Sequence, residues 1–160
     1  MKYVPISPQN RQQINDFISQ HWFTTEMVIL GEIVDMTTVE GVAAMDGEGI
    51  AGLITYRVSG EVCEITSLDS LREGLGIGTD LLEKVIAIAR EMGCHKITLV
   101  TTNDNIHAIR FYQKQGFDLV RLHHYSIKQA RGLKPEIPLF GQNGIPIEHE
   151  LEFEFLLENG

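Results

Sequence analysis

The spacing of apolar and polar positions changes character near residue 70, and the change separates two kinds of expected element. Upstream the chain reads as strands. Val39 to Met45, Ile50 to Val58 and Glu61 to Leu68 are β-rich runs divided by Asp46-Gly47-Glu48-Gly49 and Ser59-Gly60, which predicts an antiparallel meander. Before it, Tyr3 to Ile6 suits a short first strand. Ser7-Pro8 then opens a helix reaching about Trp22, with Ser7 as N-cap and Pro8 in the first helical position. Ile14, Phe17 and Ile18 supply the apolar stripe of that helix. Met27 to Met36 mixes a β-rich run, Val28-Ile29-Leu30-Gly31, with turn signals at Asp35 and Thr37-Thr38, and takes no assignment.

Downstream the period lengthens. Gly76 to Met92 reads as a helix with Leu81, Leu82, Val85, Ile86 and Ala89 on one face, stopped by Gly93. Lys96 to Thr101 is a short buried strand, and Asp104 to Gln115 is a further helix with Gly116 just past its end. Phe117 to Tyr125 is a strand that includes His123 and His124. Ala130 to Ile145 is a long loop marked by Pro135, Pro138, Gly141 and Gly144, and Ile145 to Leu157 is the last strand. Within it Ile147 to Phe155 alternates with period two, which predicts one buried and one acidic face. A meander followed by alternating strands and helices points to an α/β (α+β) fold. The expected core is one mixed, mostly antiparallel sheet of about six to seven strands flanked by about four helices.

A chain of 160 residues with no linker or repeat suits a single domain, residues 1–160. No apolar run approaches the roughly 18 residues needed to span a bilayer, and Met1-Lys2-Tyr3-Val4-Pro5 lacks the features of a signal peptide. The cytoplasm is the expected location, with no membrane partner. Cys63 and Cys94 form neither a CxxC pair nor a metal-ligand spacing, so both are expected as reduced packing residues and no metal is expected. A net charge of -9 disfavours nucleic acid and mildly favours a cationic partner such as a protonated amine.

The chemistry concentrates in Leu71-Arg72-Glu73-Gly74-Leu75-Gly76-Ile77-Gly78-Thr79, which joins a strand to an amphipathic helix. Glycines let a backbone turn with positive φ and approach a ligand closely. The first N–H groups of the following helix have no internal partner and carry partial positive charge. Together they form a cradle for a diphosphate. A P-loop would need Gly-Lys-Ser/Thr where Gly78-Thr79-Asp80 stands, and the upstream meander is not the βαβ unit of a dinucleotide fold. Further along, Asn105, Ala108 and Tyr112 are spaced three and four apart and are expected on one helical face. An amide, a small residue and a phenol in a row suit a peptide-like arm such as pantetheine.

These two blocks resemble the GNAT acetyltransferase superfamily. Its cofactor loop is R/Q-x-x-G-x-G/A, matched in its glycines by Gly76-Ile77-Gly78. Its second block, an Asn-x-x-Ala helix ending in Tyr-x-x-x-Gly-Phe, is present as Asn105 to Phe117. The resemblance runs from about residue 40 to 120. It departs at Glu73, where the family has Arg or Gln; either backbone N–H groups carry most of the anion binding with Arg72 compensating, or the cofactor is held more weakly.

The resemblance implies acetyl-CoA (coenzyme A) as co-substrate and direct attack of an amine on the thioester, with no covalent enzyme intermediate. It implies that the loop residues 71–79 hold the diphosphate: Arg72, Glu73, Gly74, Leu75, Gly76, Ile77, Gly78 and Thr79. It further implies that the backbone of Ser67 and Leu68 meets the pantetheine or acetyl group, with Thr101 and Asn103 on the next strand and Asn105, Ala108 and Tyr112 along the arm. Tyr112 is the implied acid for the leaving thiolate and Glu64 the best-placed base. Glu61, nearer the hairpin turn, and His107, His123, His124 and His149 are alternatives. The acceptor, a small-molecule amine, is expected to meet His21 to Met36 and the loop from Ala130 to Ile145. Apolar Leu133, Ile137, Leu139 and Phe140 in that loop would cover the acceptor mouth, plug the core edge or form a homodimer contact. The alternative function is a non-catalytic coenzyme A-binding regulatory or sensor domain on the same fold.

Overall fold

A computed structural model describes residues 1–157. Along the chain the elements are β1 (Lys2–Pro5), α1 (Arg11–Trp22), β2 (Glu26–Ile29), β3 (Glu32–Asp35), β4 (Glu40–Asp46), β5 (Gly49–Ser59), β6 (Val62–Ser70), α2 (Ile77–Glu91), β7 (Lys96–Thr102), α3 (Ile106–Lys114), β8 (Asp118–His123), α4 (Ser126–Leu133) and β9 (Glu150–Leu156). Seven strands make one sheet in the order β1-β4-β5-β6-β7-β9-β8, and β2 and β3 pair separately. Seven sheet strands and four helices are the expected architecture. By internal contacts the described residues divide into two compact units: Met1–Thr25, Asp35–Ile97 and residues 156–157 form one, and Glu26–Val34 with Thr98–Phe155 form the other.

The first unit is built on the meander. β1, β4, β5 and β6 pair antiparallel in sequence. Helix α2 lies on β4, β5 and β6 and buries Ile77, Leu81, Leu82, Val85 and Ala89. Each large side chain of that stripe contributes about 1.5–3 kcal/mol by leaving water. The helix lies close because residue 52 has no side chain: a Cβ on Gly52 would sit 2.8 Å from Ile77 Cγ2 and 3.0 Å from the Asp69 carbonyl oxygen. The β5–β6 register slips between Thr55 and Tyr56, so Thr55 faces Ser67, Tyr56 faces Ile65, and Thr66 is the extra residue of a bulge.

Helix α1 starts later than expected. Asn10, not Ser7, is its N-cap. The Asn10 side chain accepts from the Ser7 N–H at 2.8 Å and donates to the Pro5 carbonyl at 3.0 Å. That local clamp holds Pro8 to Asn10 in a turn, as asparagine side chains do when they compete with helix bonds.

The second unit answers the unassigned segment. β2 and β3 form a hairpin whose turn residues, Leu30 and Gly31, both have positive φ (48° and 79°), the twist that suits a two-residue hairpin. The Leu30 N–H donates to Glu150 Oε2 at 3.0 Å. Glu150 is therefore buried, 2% exposed, where the alternation placed it on an acidic outer face.

The last strand begins at Glu150 rather than Ile145. Ser126–Leu133, unassigned up to Gln129 and expected as loop from Ala130, is helical and buries Ile127 and Ala130 against Ile147. Arg131 then ties down the following loop through the carbonyls of Ile137, Pro138 and Ile147. β8 stops at His123, so His124 lies in a turn and its ring stacks on His149 at 4.9 Å rather than continuing the strand.

Candidate active site

In the first unit, the strand end and glycine loop expected to hold a diphosphate are assembled from residues 67 to 79. Gly74 and Gly76 both occupy the left-handed region, with φ of 78° and 72°. Gly76 is the N-cap of α2, and no side chain caps that end of the helix. The acid in the first turn, Asp80, accepts the Tyr3 hydroxyl at 2.7 Å and so turns its charge toward β1. Residues 71 to 76 are all exposed, including the apolar Leu71 and Leu75, while Ile77 beneath them is buried and fixes the helix start. The result is an open, positively polarised helix end at the surface.

The charged residues of this loop depart from the simple reading. Arg72 is ion-paired with Asp46 at the end of β4, so its guanidinium is held toward the β4–β5 turn. Glu73 is exposed. The donors this loop leaves exposed are therefore backbone amides, while the Arg72 guanidinium is engaged by Asp46.

Behind the loop, β6 presents polar groups on one face. Thr55 Oγ1 lies 2.7 Å from Thr66 Oγ1 and 2.6 Å from Ser67 Oγ, a buried hydroxyl cluster that occupies the Ser67 side chain. The register pairs Ser67 with Thr55, Asp69 with Leu53 and Glu64 with Arg57. Alternation on either side of the bulge then puts Glu64, Ser67 and Asp69 on one face, and Leu68 on the other with Ile54. Glu64 is not an open base: its Oε1 accepts from Arg57 Nε at 2.6 Å.

Sequence reasoning missed Asp69. Its Oδ2 accepts from the Trp22 indole N–H at 3.1 Å. Desolvation raises its pKa above the ordinary carboxylate value, opposed by the Trp22 hydrogen bond and the nearby His21. The one signal available was an acid ending a β-rich run immediately before the glycine loop.

In the second unit, Asn105 is the N-cap of α3 rather than a member of its face. Its Oδ1 accepts from the Ala108 N–H at 3.2 Å, and its Nδ2 donates to Thr101 Oγ1 at 3.1 Å. Thr101, Asn105 and Ala108 are thus brought together, with Asn105 as an exposed link whose amide has second positions to offer. Asn103 is otherwise engaged. Its Oδ1 accepts from the N–H groups of Glu148 and His149, its Nδ2 donates to the Pro146 carbonyl, and its own N–H donates to the His149 carbonyl.

Tyr112 is 5% exposed, with its ring edge-on to Phe111 and Phe117 and 6.3 Å from Phe153. Of the alternative bases, His123 meets Glu152 at 3.0 Å. His149 Nδ1 accepts from the Tyr125 N–H, so in the neutral ring the proton is on Nε2. Among the described residues no three His, Cys, Asp or Glu side chains gather as a metal site would need, and no helix is long and apolar enough to cross a membrane.

Comparison with known proteins agrees with this geometry. The family model of the acetyltransferase (GNAT) family matches residues 10–117. The chain is 42% identical over 159 residues to the uncharacterized protein YdhI of Bacillus subtilis strain 168, covering 99% of both chains. Its fold is similar to that of a GNAT family acetyltransferase from Elizabethkingia anophelis with acetyl-CoA bound, with a TM-score of 0.70, 20% identity, and 98% and 97% of the two chains covered. A Bacillus subtilis acetyltransferase in complex with CoA is similar too, with a TM-score of 0.68, 18% identity, and 98% and 100% covered. A match across two thirds of the chain, over both the glycine loop and the Asn105 helix, leads to one conclusion: the chain belongs to the GNAT acetyltransferase family.

Proposed function

We propose that this chain transfers the acetyl group of acetyl-CoA to the primary amine of a small molecule, by direct attack within a ternary complex. The observation that carries the reading is the uncapped N-terminus of α2 behind two glycines in the left-handed region, an exposed cradle of backbone amides shaped for a diphosphate. The exposed Leu71 and Leu75 fit the same reading, since an apolar portion of the co-substrate would cover them. Two proteins of similar fold hold CoA or acetyl-CoA, which supports the same donor here.

In this reading residues 67–68 offer main-chain groups to the acyl end, residues 71–79 hold the diphosphate, and Asn105 and Ala108 meet the amide-bearing arm. Asn103 has most of its polar groups engaged within the fold, and Thr101 acts by orienting Asn105. Tyr112 supplies the proton to the departing thiolate, its phenol shielded from water by aromatic neighbours. Glu64, tied to Arg57, is the weakest member of the proposed set as a base. A net charge of -9 suits a cationic acceptor.

The test is thiol release from acetyl-CoA across a panel of primary amines. Turnover with at least one amine, first order in enzyme, supports the transferase. Tight CoA binding with no release above background for any amine would leave the silent coenzyme A-binding domain as the better reading.

A further inference from the structure

The end of α1 and the α1-facing side of β6 bring together Asp69, Trp22 and the neighbouring His21, which the acyl-transfer reading leaves unused. Asp69 follows Ser67 by one strand repeat on the same face, about 6.6 Å along the strand. The Trp22 indole N–H donates to one of its two carboxylate oxygens, at 3.1 Å. Trp22 is itself 40% exposed.

His21, beside it, stacks on Phe17 at 4.1 Å and holds its Nδ1 2.9 Å from the Phe17 carbonyl. A carbonyl only accepts, so Nδ1 carries a proton in this arrangement. Phe23 follows with φ of 60°, a left-handed conformation costly for a residue with a Cβ, and its ring is 91% exposed. Opposite Asp69 on β5 stands Leu53, which cannot neutralise it. The nearest cation along the chain, Arg72, is paired with Asp46.

A partly buried carboxylate, fixed by one indole bond beside a partly exposed aromatic ring and facing Leu53 across the sheet, is complementary to a primary ammonium on an apolar or aromatic body. We infer that Asp69, held by Trp22 at the end of α1, is the seat of the acceptor ammonium and the first receiver of its proton. The inference rests on the acyl-transfer reading for its chemistry and on the unit-1 geometry for its location.

The step balances as follows for a primary amine. The ammonium gives one proton to the Asp69 carboxylate, which releases it to water. The freed nitrogen lone pair forms the C–N bond to the thioester carbonyl carbon. The C–S bond then breaks; the attacking nitrogen loses its second proton as the amide forms, and the departing thiolate takes up one, so these two cancel. One acylated amine, one thiol and one released proton result. Desolvation lets Asp69 hold the incoming proton better than an ordinary surface carboxylate would.

Trp22 is the single tryptophan of the chain, so its emission reports this seat without any turnover. Phenethylamine, with its uncharged counterpart phenethyl alcohol as control, is titrated against wild-type protein and against Asp69→Asn and Asp69→Glu. The expected result is a saturable change in emission with the amine and a far weaker one with the alcohol. Loss of about tenfold or more in amine affinity is expected in Asp69→Asn, with partial recovery in Asp69→Glu. Calorimetric affinity for CoA is expected to be the same in all three proteins.

Equal amine affinity in wild type and Asp69→Asn, or no saturable change in wild type, overturns the inference. So does loss of CoA affinity in Asp69→Asn, which would show a structural role for the Trp22 bond. Failure of wild-type protein to bind CoA strikes the acyl-transfer reading instead, while the amine titration still decides the seat.

Discussion

Replacing Gly76 by alanine tests the cradle by a change that adds one methyl group and touches nothing. Gly76 has φ of 72°, and a Cβ built there meets no atom within 4 Å. Packing therefore contributes nothing to the outcome, and the whole effect is the backbone cost of a left-handed alanine, about 1–2 kcal/mol. That cost has two outlets. If the loop keeps its shape, the strain appears as lost stability, a fall in Tm of about 2–6 °C for a chain of this size, with CoA affinity unchanged. If the loop relaxes to negative φ, Tm is kept, but the amide at the helix start turns away. Binding must then restore it, which weakens the Kd by about 5–30-fold. Thermal melts without ligand and calorimetric CoA titration, on the same preparation, measure both outlets, and the two losses should sum to about 1–2 kcal/mol. No change in either quantity would refute the reasoning, because it would mean that neither the fold nor the ligand requires this conformation.

Three other predictions follow from the same geometry. Tyr112→Phe keeps the buried ring contacts and removes only the hydroxyl, so turnover should fall by about 10²-fold or more while CoA affinity holds; stopped assays of thiol release and calorimetry check it. Asp46→Asn should release Arg72 from its ion pair and tighten CoA binding, an effect lost when Arg72→Ala is added, as calorimetry of the single and double variants would show. Asp69→Asn bears on pH. Burial raises the Asp69 pKa, so stability from this group is present below its unfolded value and lost as pH rises through its folded one. The asparagine variant, whose Oδ1 can still accept from Trp22, should therefore melt higher than wild type at pH 7, and the difference should close on acidification below the ordinary carboxylate range.

The meander was readable because its turns are explicit. Asp46-Gly47 and Gly60 mark hairpins between runs of β-formers, and α2 was readable because Leu81, Leu82, Val85 and Ala89 repeat on one face. Short elements hid. α4 spans eight residues, offers only Ile127 and Ala130 as buried positions, includes Gly132, and starts at Tyr125 with no capping side chain. Asn105 was read as part of a helical face although asparagine favours the N-cap, and the structure shows it capping α3. The period-two reading of the last strand failed at Glu150, whose burial depends on a turn amide 120 positions away. The Trp22–Asp69 bond spans 47 positions and carries no local signature, so nothing in either segment announced it. Local chemistry, the glycine loop above all, was visible; pairings made by the fold were not.

The central claim is that backbone amides at the start of α2 grip the diphosphate of coenzyme A, and calorimetry comparing coenzyme A with pantetheine tests it most directly. Pantetheine keeps the amide-bearing arm and thiol but lacks the diphosphate and nucleoside. The account predicts clear heat with coenzyme A and at least a tenfold, about 1.4 kcal/mol, weaker response with pantetheine. Equal affinity for the two, or no heat with coenzyme A at millimolar concentration, would contradict it.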